Sequence, residues 1–166
     1  MRLVDELIKA NEQYASAFSH GDLGPPPRRQ LAVVGCMDSR MTVEEMLGLK
    51  TGDAHIIRNA GGVVTEDVIR SLLISHHLLG TRDFVIINHT ECGMLTFQDA
   101  ELRERLERQS GTAVISPEHF YAFTDPVANV RRQMQKLRAH PWIPREIAIA
   151  GLIFDVRTGR LSEVTP

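Results

Sequence analysis

Apolar residues fall at two distinct periods along this chain, and the alternation between them predicts its elements. Leu3, Leu7, Ile8, Tyr14, Ala15 and Phe18 recur at helical spacing, which predicts an amphipathic helix from residue 3 to about 18. Gly21 to Gln30, with Gly24-Pro25-Pro26-Pro27 inside it, cannot continue that helix and reads as a connector. The short apolar run 31–35 predicts a buried strand, and Thr42-Val43-Glu44-Glu45 has the spacing of a capping box that opens a helix. Gly52-Asp53 turns the chain into a second strand over 54–57. Beyond the loop 58–62, whose two glycines permit tight backbone geometry, Thr65 is placed to cap a helix with Glu66 and Asp67 in its first turn. Val68, Ile69, Leu72, Leu73, Ile74, Leu78 and Leu79 leave that helix little polar face, so burial on more than one side is expected, with Gly80 closing it.

A third strand is predicted over 84–88. Residues 99–109 carry Glu101–Arg105 and Glu104–Arg108 at i,i+4 and read as a solvated helix, each pair adding only about 0.2–0.5 kcal/mol. Asp125-Pro126 starts another helix through Val127, Val130, Met134 and Leu137, ending before Pro141. Residues 147–154, the turn at Thr158-Gly159 and residues 161–164 predict a terminal hairpin. Strands alternating with helices imply an α/β fold: a mostly parallel central sheet flanked by helices, with one antiparallel C-terminal hairpin strand. Ligands of such sheets sit beyond the carboxyl ends of the strands.

At 166 residues, 43% of them hydrophobic, the chain suits a single domain spanning 1–166, with an N-terminal helical arm (1–20) and a core over 31–166. Net charge is −2 with both signs intermixed, so no nucleic-acid surface is expected. No apolar run is long enough for a signal peptide or a membrane span, which makes a cytoplasmic protein the default expectation.

Only two cysteines occur, Cys36 and Cys92, and each follows a predicted strand. They could close one disulfide, but a reducing cytosol and a nearby histidine and aspartate point to metal or catalysis instead. Cys36 with His89-Thr90-Glu91-Cys92 supplies two sulfurs and one nitrogen, a set that suits zinc and leaves a fourth position open, as catalytic zinc sites do. Asp38 could fill that position or accept a hydrogen bond from a water there, and the residues leave both readings open. Arg40 has the fork that matches a carboxylate bidentately and would hold Asp38 ionised and oriented. Water at a zinc ion has its pKa lowered to roughly 7. Gly93 would let its N–H face the site with no side chain in the way. A cysteine-phosphatase reading of Cys36-Met37-Asp38-Ser39-Arg40 fails, because that loop needs more residues and a glycine-rich turn between cysteine and arginine.

Cys36-Met-Asp-Ser-Arg40 and His89-Thr-Glu-Cys-Gly-Met94 closely resemble the two zinc motifs of the β-class carbonic anhydrases. Residues 52–62 and 151–161 are also similar to family segments, so the resemblance runs from about 31 to 164 and is nearest to the small, plain members. It implies Cys36, His89 and Cys92 as zinc ligands, Asp38 and Arg40 as the catalytic dyad, and reversible hydration of carbon dioxide. It also implies a homodimer or homotetramer in which the N-terminal helix packs on a partner subunit. Carbon disulfide and carbonyl sulfide hydrolases share this scaffold and form the enzymatic alternative; a catalytically silent zinc-binding module is the alternative of another class.

Two departures matter. Glu91 stands where small members usually have aspartate. Val33 stands where members with a bicarbonate regulatory pocket have tryptophan, so that pocket is not expected, although Arg58 matches its arginine. His76 and His77 read as packing or interface residues, His20, His55, His119 and His140 have no partner visible in sequence, and Trp142 between Pro141 and Pro144 reads as a packing residue.

Overall fold

The computed structural model describes residues 2–165. Helix α1 (Leu3–Ser16) is followed by β1 (Leu31–Cys36), a single turn α2 (Val43–Met46), β2 (Ala54–Asn59), α3 (Glu66–Leu79) and β3 (Asp83–His89). A 3₁₀ turn (Gly93–Leu95), α4 (Asp99–Ser110), α5 (Pro126–Ala139), β4 (Ala148–Phe154) and β5 (Leu161–Val164) complete it. The sheet has the order β2-β1-β3-β4-β5; β1, β2, β3 and β4 pair in parallel, and only β5 runs antiparallel, on β4. This is the expected mostly parallel architecture with its C-terminal hairpin strand. No helix among the described residues is long and apolar enough to cross a membrane.

Alternation along the strands divides the core in two. Ala32, Val34, Phe84, Ile86, Ile149 and Ile153 face Val68, Ile69 and Leu72 of α3 and Val130, Met134 and Leu137 of α5. Val33, Ile87 and Phe154 face the other way, towards Met41, Val43, Met94 and Phe123, which come from α2, the 3₁₀ turn and loops. Helix α5 comes close because Gly151 of β4 has no side chain: a Cβ there would lie 2.4 Å from Val130 Cγ1 and 2.6 Å from Met134 Sδ. Gly151→Ala is therefore expected to cost about 1–3 kcal/mol of stability through overpacking. A urea-unfolding midpoint equal to the parent's would contradict this.

Caps set several helix limits as expected. Thr65 Oγ1 accepts from Val68 N–H, Asp125 accepts from Val127 and Ala128 N–H, and Gly80 takes the left-handed conformation that ends α3. Other readings need correction. Thr42 does not cap: its hydroxyl donates to Glu45 Oε2 (2.8 Å), and α2 stops after one turn. Glu101 turns back to accept from Gln98 N–H, so of the two pairs expected on α4 only Glu104–Arg108 forms, at 3.1 Å.

Helix α3 buries one side only, because the chain packs it on the sheet and leaves Leu78 75% exposed and Ile74 partly so. Trp142 is 70% exposed rather than packed, its ring edge-on to His140. Helix α1 has its apolar stripe, but Leu3, Leu7, Ile8, Tyr14 and Phe18 are all exposed and none of its residues is buried within this chain.

Candidate metal centre

Cys36 ends β1 and His89 ends β3, one residue further on than the apolar runs alone indicated. These strands are parallel neighbours with Gly35 opposite Ile87, so both ends emerge at one edge of the sheet. His89 continues the Val85–Ile87 face of β3, and the turn that follows returns Cys92 beside Cys36. The ligating atoms of Cys36, His89 and Cys92 all lie within 4.8 Å of one another, and all three residues are buried. The two sulfurs are 4.0 Å apart and free, so the disulfide alternative is not realised.

His89 carries the most telling detail. Its Nδ1 is 2.9 Å from the Thr90 carbonyl oxygen. A carbonyl only accepts, so the proton sits on Nδ1 and the lone pair on Nε2. That Nε2 is the one buried side-chain nitrogen or oxygen without a hydrogen-bond partner among the described residues. Leaving such an atom unpaired costs about 1–3 kcal/mol. Its lone pair lies among two sulfurs, and an imidazole nitrogen with two thiolates is a donor set that fits zinc.

Asp38 stands at the rim. Its Oδ1 accepts from Arg40 N–H and Nε–H, both at 2.9 Å, and its Oδ2 accepts from Arg40 Nη2 at 2.8 Å. The guanidinium fork, opposed by partial burial, holds the Asp38 carboxyl well below the usual carboxylate range. Oδ2 is also 3.7 Å from His89 Nε2. The thiols divide one proton unequally. A hydrogen bond from the Cys92 thiol draws Cys36 down, and N–H groups of Asp38 and Gly61 assist; the same shared proton, then burial, pushes Cys92 up. For His89 burial opposes charging, but Cys36, the Thr90 carbonyl and Asp38 together turn the net shift upward.

Binding a cation through both sulfurs must therefore expel a proton from Cys92 across the neutral range. Zinc affinity is expected to rise about tenfold per pH unit for each proton released. Calorimetric titration in buffers of different ionisation enthalpy checks it; zinc uptake with no proton release would contradict it.

Several contacts were not legible in the sequence. Arg58, open in the sequence as surface charge, interface or site contact, donates through Nε to the Cys36 carbonyl (2.9 Å) and through Nη2 to the Asp38 carbonyl (2.6 Å), so it holds the ligand loop. Gly61 N–H donates to Cys36 Sγ at 3.3 Å, and the glycine pair was the only signal of that tight loop. Glu91 sits in the left-handed region at φ +54. Its carboxylate pairs with Arg157, and its carbonyl accepts from Arg40 Nη2 at 3.3 Å. Thr90 N–H donates to Phe154 O at 2.9 Å, which ties the same turn to the end of β4. Gly93 lines the cavity, but the main-chain N–H that favours the Cys92 thiolate is that of Met94. Of the remaining histidines, His76 and His77 donate to the carbonyls of Thr81 (2.7 Å) and Trp142 (2.9 Å). His55 bridges Ser75 Oγ and the Pro25 carbonyl. Cys36, Cys92, Asp38 and Arg40 line a cavity of about 660 Å³ whose other walls include Met37, Ala60, Gly61, Met94 and Phe97.

Comparison with known proteins gives a consistent result. The family model described as carbonic anhydrase matches residues 31–161. Beta-carbonic anhydrase 1 of Mycobacterium tuberculosis is 45% identical over 100% of both chains. The crystal structure of carbonic anhydrase from Streptococcus mutans superposes with a TM-score of 0.94 at 46% identity, covering 99% of each chain. A carbon disulfide hydrolase of Acidithiobacillus thiooxidans is 36% identical, over 97% of this chain and 90% of its own. By its matched span, its full-length relatives and its fold, this chain belongs to the β-carbonic anhydrase family.

Proposed function

We propose that this chain hydrates carbon dioxide reversibly to bicarbonate and a proton, with Cys36, His89 and Cys92 as zinc ligands and Asp38 with Arg40 as the catalytic dyad. β-Carbonic anhydrases are zinc enzymes, oligomeric, and catalyse this reaction. The observation that carries the reading is the unpaired Nε2 of His89, converging with two sulfurs beside a carboxylate whose oxygens are both engaged by one arginine. Zinc held there supplies a Lewis acid that makes water nucleophilic near neutral pH.

The roles of the chain's own groups follow from their chemistry. Asp38 is too weak a base to take the proton, so it orients: its carboxylate accepts a hydrogen bond from the attacking water and turns a lone pair towards the substrate carbon. Arg40 fixes that carboxylate, and its grip on both oxygens supports an orienting role for the aspartate over that of a fourth ligand. Met37, Ala60, Met94 and Phe97 give the cavity apolar walls suited to an uncharged linear molecule. Gly93 leaves its mouth open, since a Cβ there would meet nothing within 4 Å. None of His20, His55, His76, His77, His119 and His140 lines this cavity, so the proton leaves to buffer.

Stopped-flow hydration of carbon dioxide on zinc-quantified protein, from about pH 6.5 to 9, tests the reading. Rapid turnover that grows with pH and with buffer concentration is expected. Zinc-loaded protein without turnover would overturn it. Similarity to carbon disulfide hydrolases supports a second reading, so carbon disulfide and carbonyl sulfide belong in the same assay; faster turnover on either would reassign the substrate.

We place the protein in the cytoplasm, where both thiols stay reduced. We further read residues 1–166 as one domain, the arm 1–20 preceding a catalytic core at 31–166, in a homodimer or homotetramer. The exposed apolar stripe of α1 supports that assembly, and an active monomer in size-exclusion chromatography would refute it.

A further inference from the structure

Two carboxamides on the buried side of α5 take no part in the chemistry above. Asn129 and Gln133, one helical turn apart, are 1% and 6% exposed among apolar neighbours, and Asn88 at the end of β3 is 1% exposed. Burying an amide costs about 1–3 kcal/mol unless its hydrogen bonds are remade. Here they are remade in a single chain. Val64 N–H donates to Gln133 Oε1 (2.9 Å), Gln133 Nε2 to Asn129 Oδ1 (2.9 Å), and Asn129 Nδ2 to Asn88 Oδ1 (2.7 Å). Asn88 Nδ2 then donates to the carbonyls of Gly61 (3.0 Å) and Gly62 (3.4 Å).

The direction of this chain is dictated at both ends. An N–H at Val64 can only donate and the carbonyls at Gly61 and Gly62 can only accept, so all three amides must point one way. Arg132, a pure donor, also bonds Asn129 Oδ1 at 2.8 Å and reinforces that choice. The acceptor end is the loop whose Gly61 N–H donates to Cys36 Sγ. That loop takes two consecutive left-handed residues, Gly61 at φ +82 and Gly62 at φ +58. Asn59 ties its two ends, bonding Gly62 N–H through its carbonyl (3.2 Å) and Val63 through its side chain (2.7 and 2.8 Å), while the Gly61 and Gly62 carbonyls are held from outside by Asn88.

We propose that Asn88, Asn129 and Gln133 are positioning residues that carry the placement of α5 to the Gly61 N–H and so set the hydrogen bond received by the Cys36 sulfur. The inference rests on the metal reading of Cys36, His89 and Cys92. It extends the structure that orients the metal's sulfur ligand from the loop around it to a helix on the far side of the sheet. Partners of this kind tune metal affinity, because a hydrogen bond to a thiolate sulfur adjusts how strongly it donates.

The test compares Asn129→Asp and Gln133→Met with Leu137→Ala, a fully buried α5 change outside the amide chain. Asn129→Asp keeps the two bonds Asn129 accepts and removes only its donation to Asn88. Its added negative charge would favour a cation, so weakened binding cannot be put down to charge. Zinc affinity by chelator competition and the thiolate-to-cobalt charge-transfer band of the Co²⁺-substituted protein are the readouts. Asn129→Asp is expected to weaken zinc about tenfold and shift the band. Gln133→Met moves both the same way, and Leu137→Ala lowers thermal stability while moving neither. Gln133→Met keeps its side-chain length, so it decides the matter if Asn129→Asp does not fold. Zinc affinity and band positions in Gln133→Met that match Leu137→Ala would overturn the proposal. A parent protein that takes up no stoichiometric zinc would overturn the metal reading beneath it instead.

Discussion

Asp38→Asn is expected to lower carbon dioxide hydration by about 10²-fold, the loss that misorienting a reacting group brings. Zinc content and thermal stability should stay close to the parent's. The substitution keeps the shape but replaces one of the two oxygens gripped by Arg40 with an NH₂ group, which cannot accept from a guanidinium. The side chain must either present a donor to Arg40 or present one to the attacking water, and each choice destroys the orienting role. Because Asp38 is outside the three-residue ligand cluster, metal retention separates the readings. Turnover lost with zinc retained supports the dyad; zinc and fold lost together would favour a silent structural site. Turnover within about twofold of the parent would remove Asp38 from the mechanism altogether.

Gly62→Ala is expected to lose stability through backbone strain and overpacking together. The residue sits at φ +58, and an added Cβ would meet Ile87 O at 2.9 Å, Asn88 Nδ2 at 3.1 Å and Cys36 N at 3.1 Å. Two of those atoms are main chain in adjacent strands and cannot swing aside. Left-handed strain costs about 1–2 kcal/mol, and overpacking adds about 1–3 kcal/mol. A total near 3 kcal/mol lowers the melting temperature by roughly 6–12 °C for a chain of this size. Since the displaced groups flank Cys36, metal affinity should fall in parallel. A melting curve and zinc content unchanged by Gly62→Ala would show that this loop tolerates what its geometry forbids.

Much of the fold was legible because its signals are local. Apolar runs of strand length and end signals such as Thr65, Asp125-Pro126 and Gly80 mark elements without knowledge of what they pack on. The candidate metal ligands were legible for a related reason: singly, Cys36, His89 and Cys92 read as buried cysteines and a core histidine, but at strand ends beside Asp38 and Arg40 they form two distinctive motifs. What escaped depends on distance in space rather than in sequence. Arg58 reads equally as a surface charge, an interface contact or a site contact until β2 is laid beside β1, when its guanidinium reaches the Cys36 and Asp38 carbonyls. Nothing in the sequence sets Asn129 and Gln133 apart; their roles emerge only once α5 is docked over Asn88. Apolar content misled at α3 and Trp142, because it cannot say whether a hydrophobic residue meets its own chain.

The β1–β3 register has a practical consequence. Side chains alternate across a sheet, so a slip of one residue would turn His89 towards α5 and Asn88 towards the two sulfurs. A chain misaligned in that way could still collapse and keep much of its helix content, yet it would lose an imidazole from the ligand set. Bound zinc per polypeptide thus doubles as a quality gauge for a recombinant preparation: it counts correctly threaded molecules, which circular dichroism or elution volume would not distinguish from their slipped counterparts.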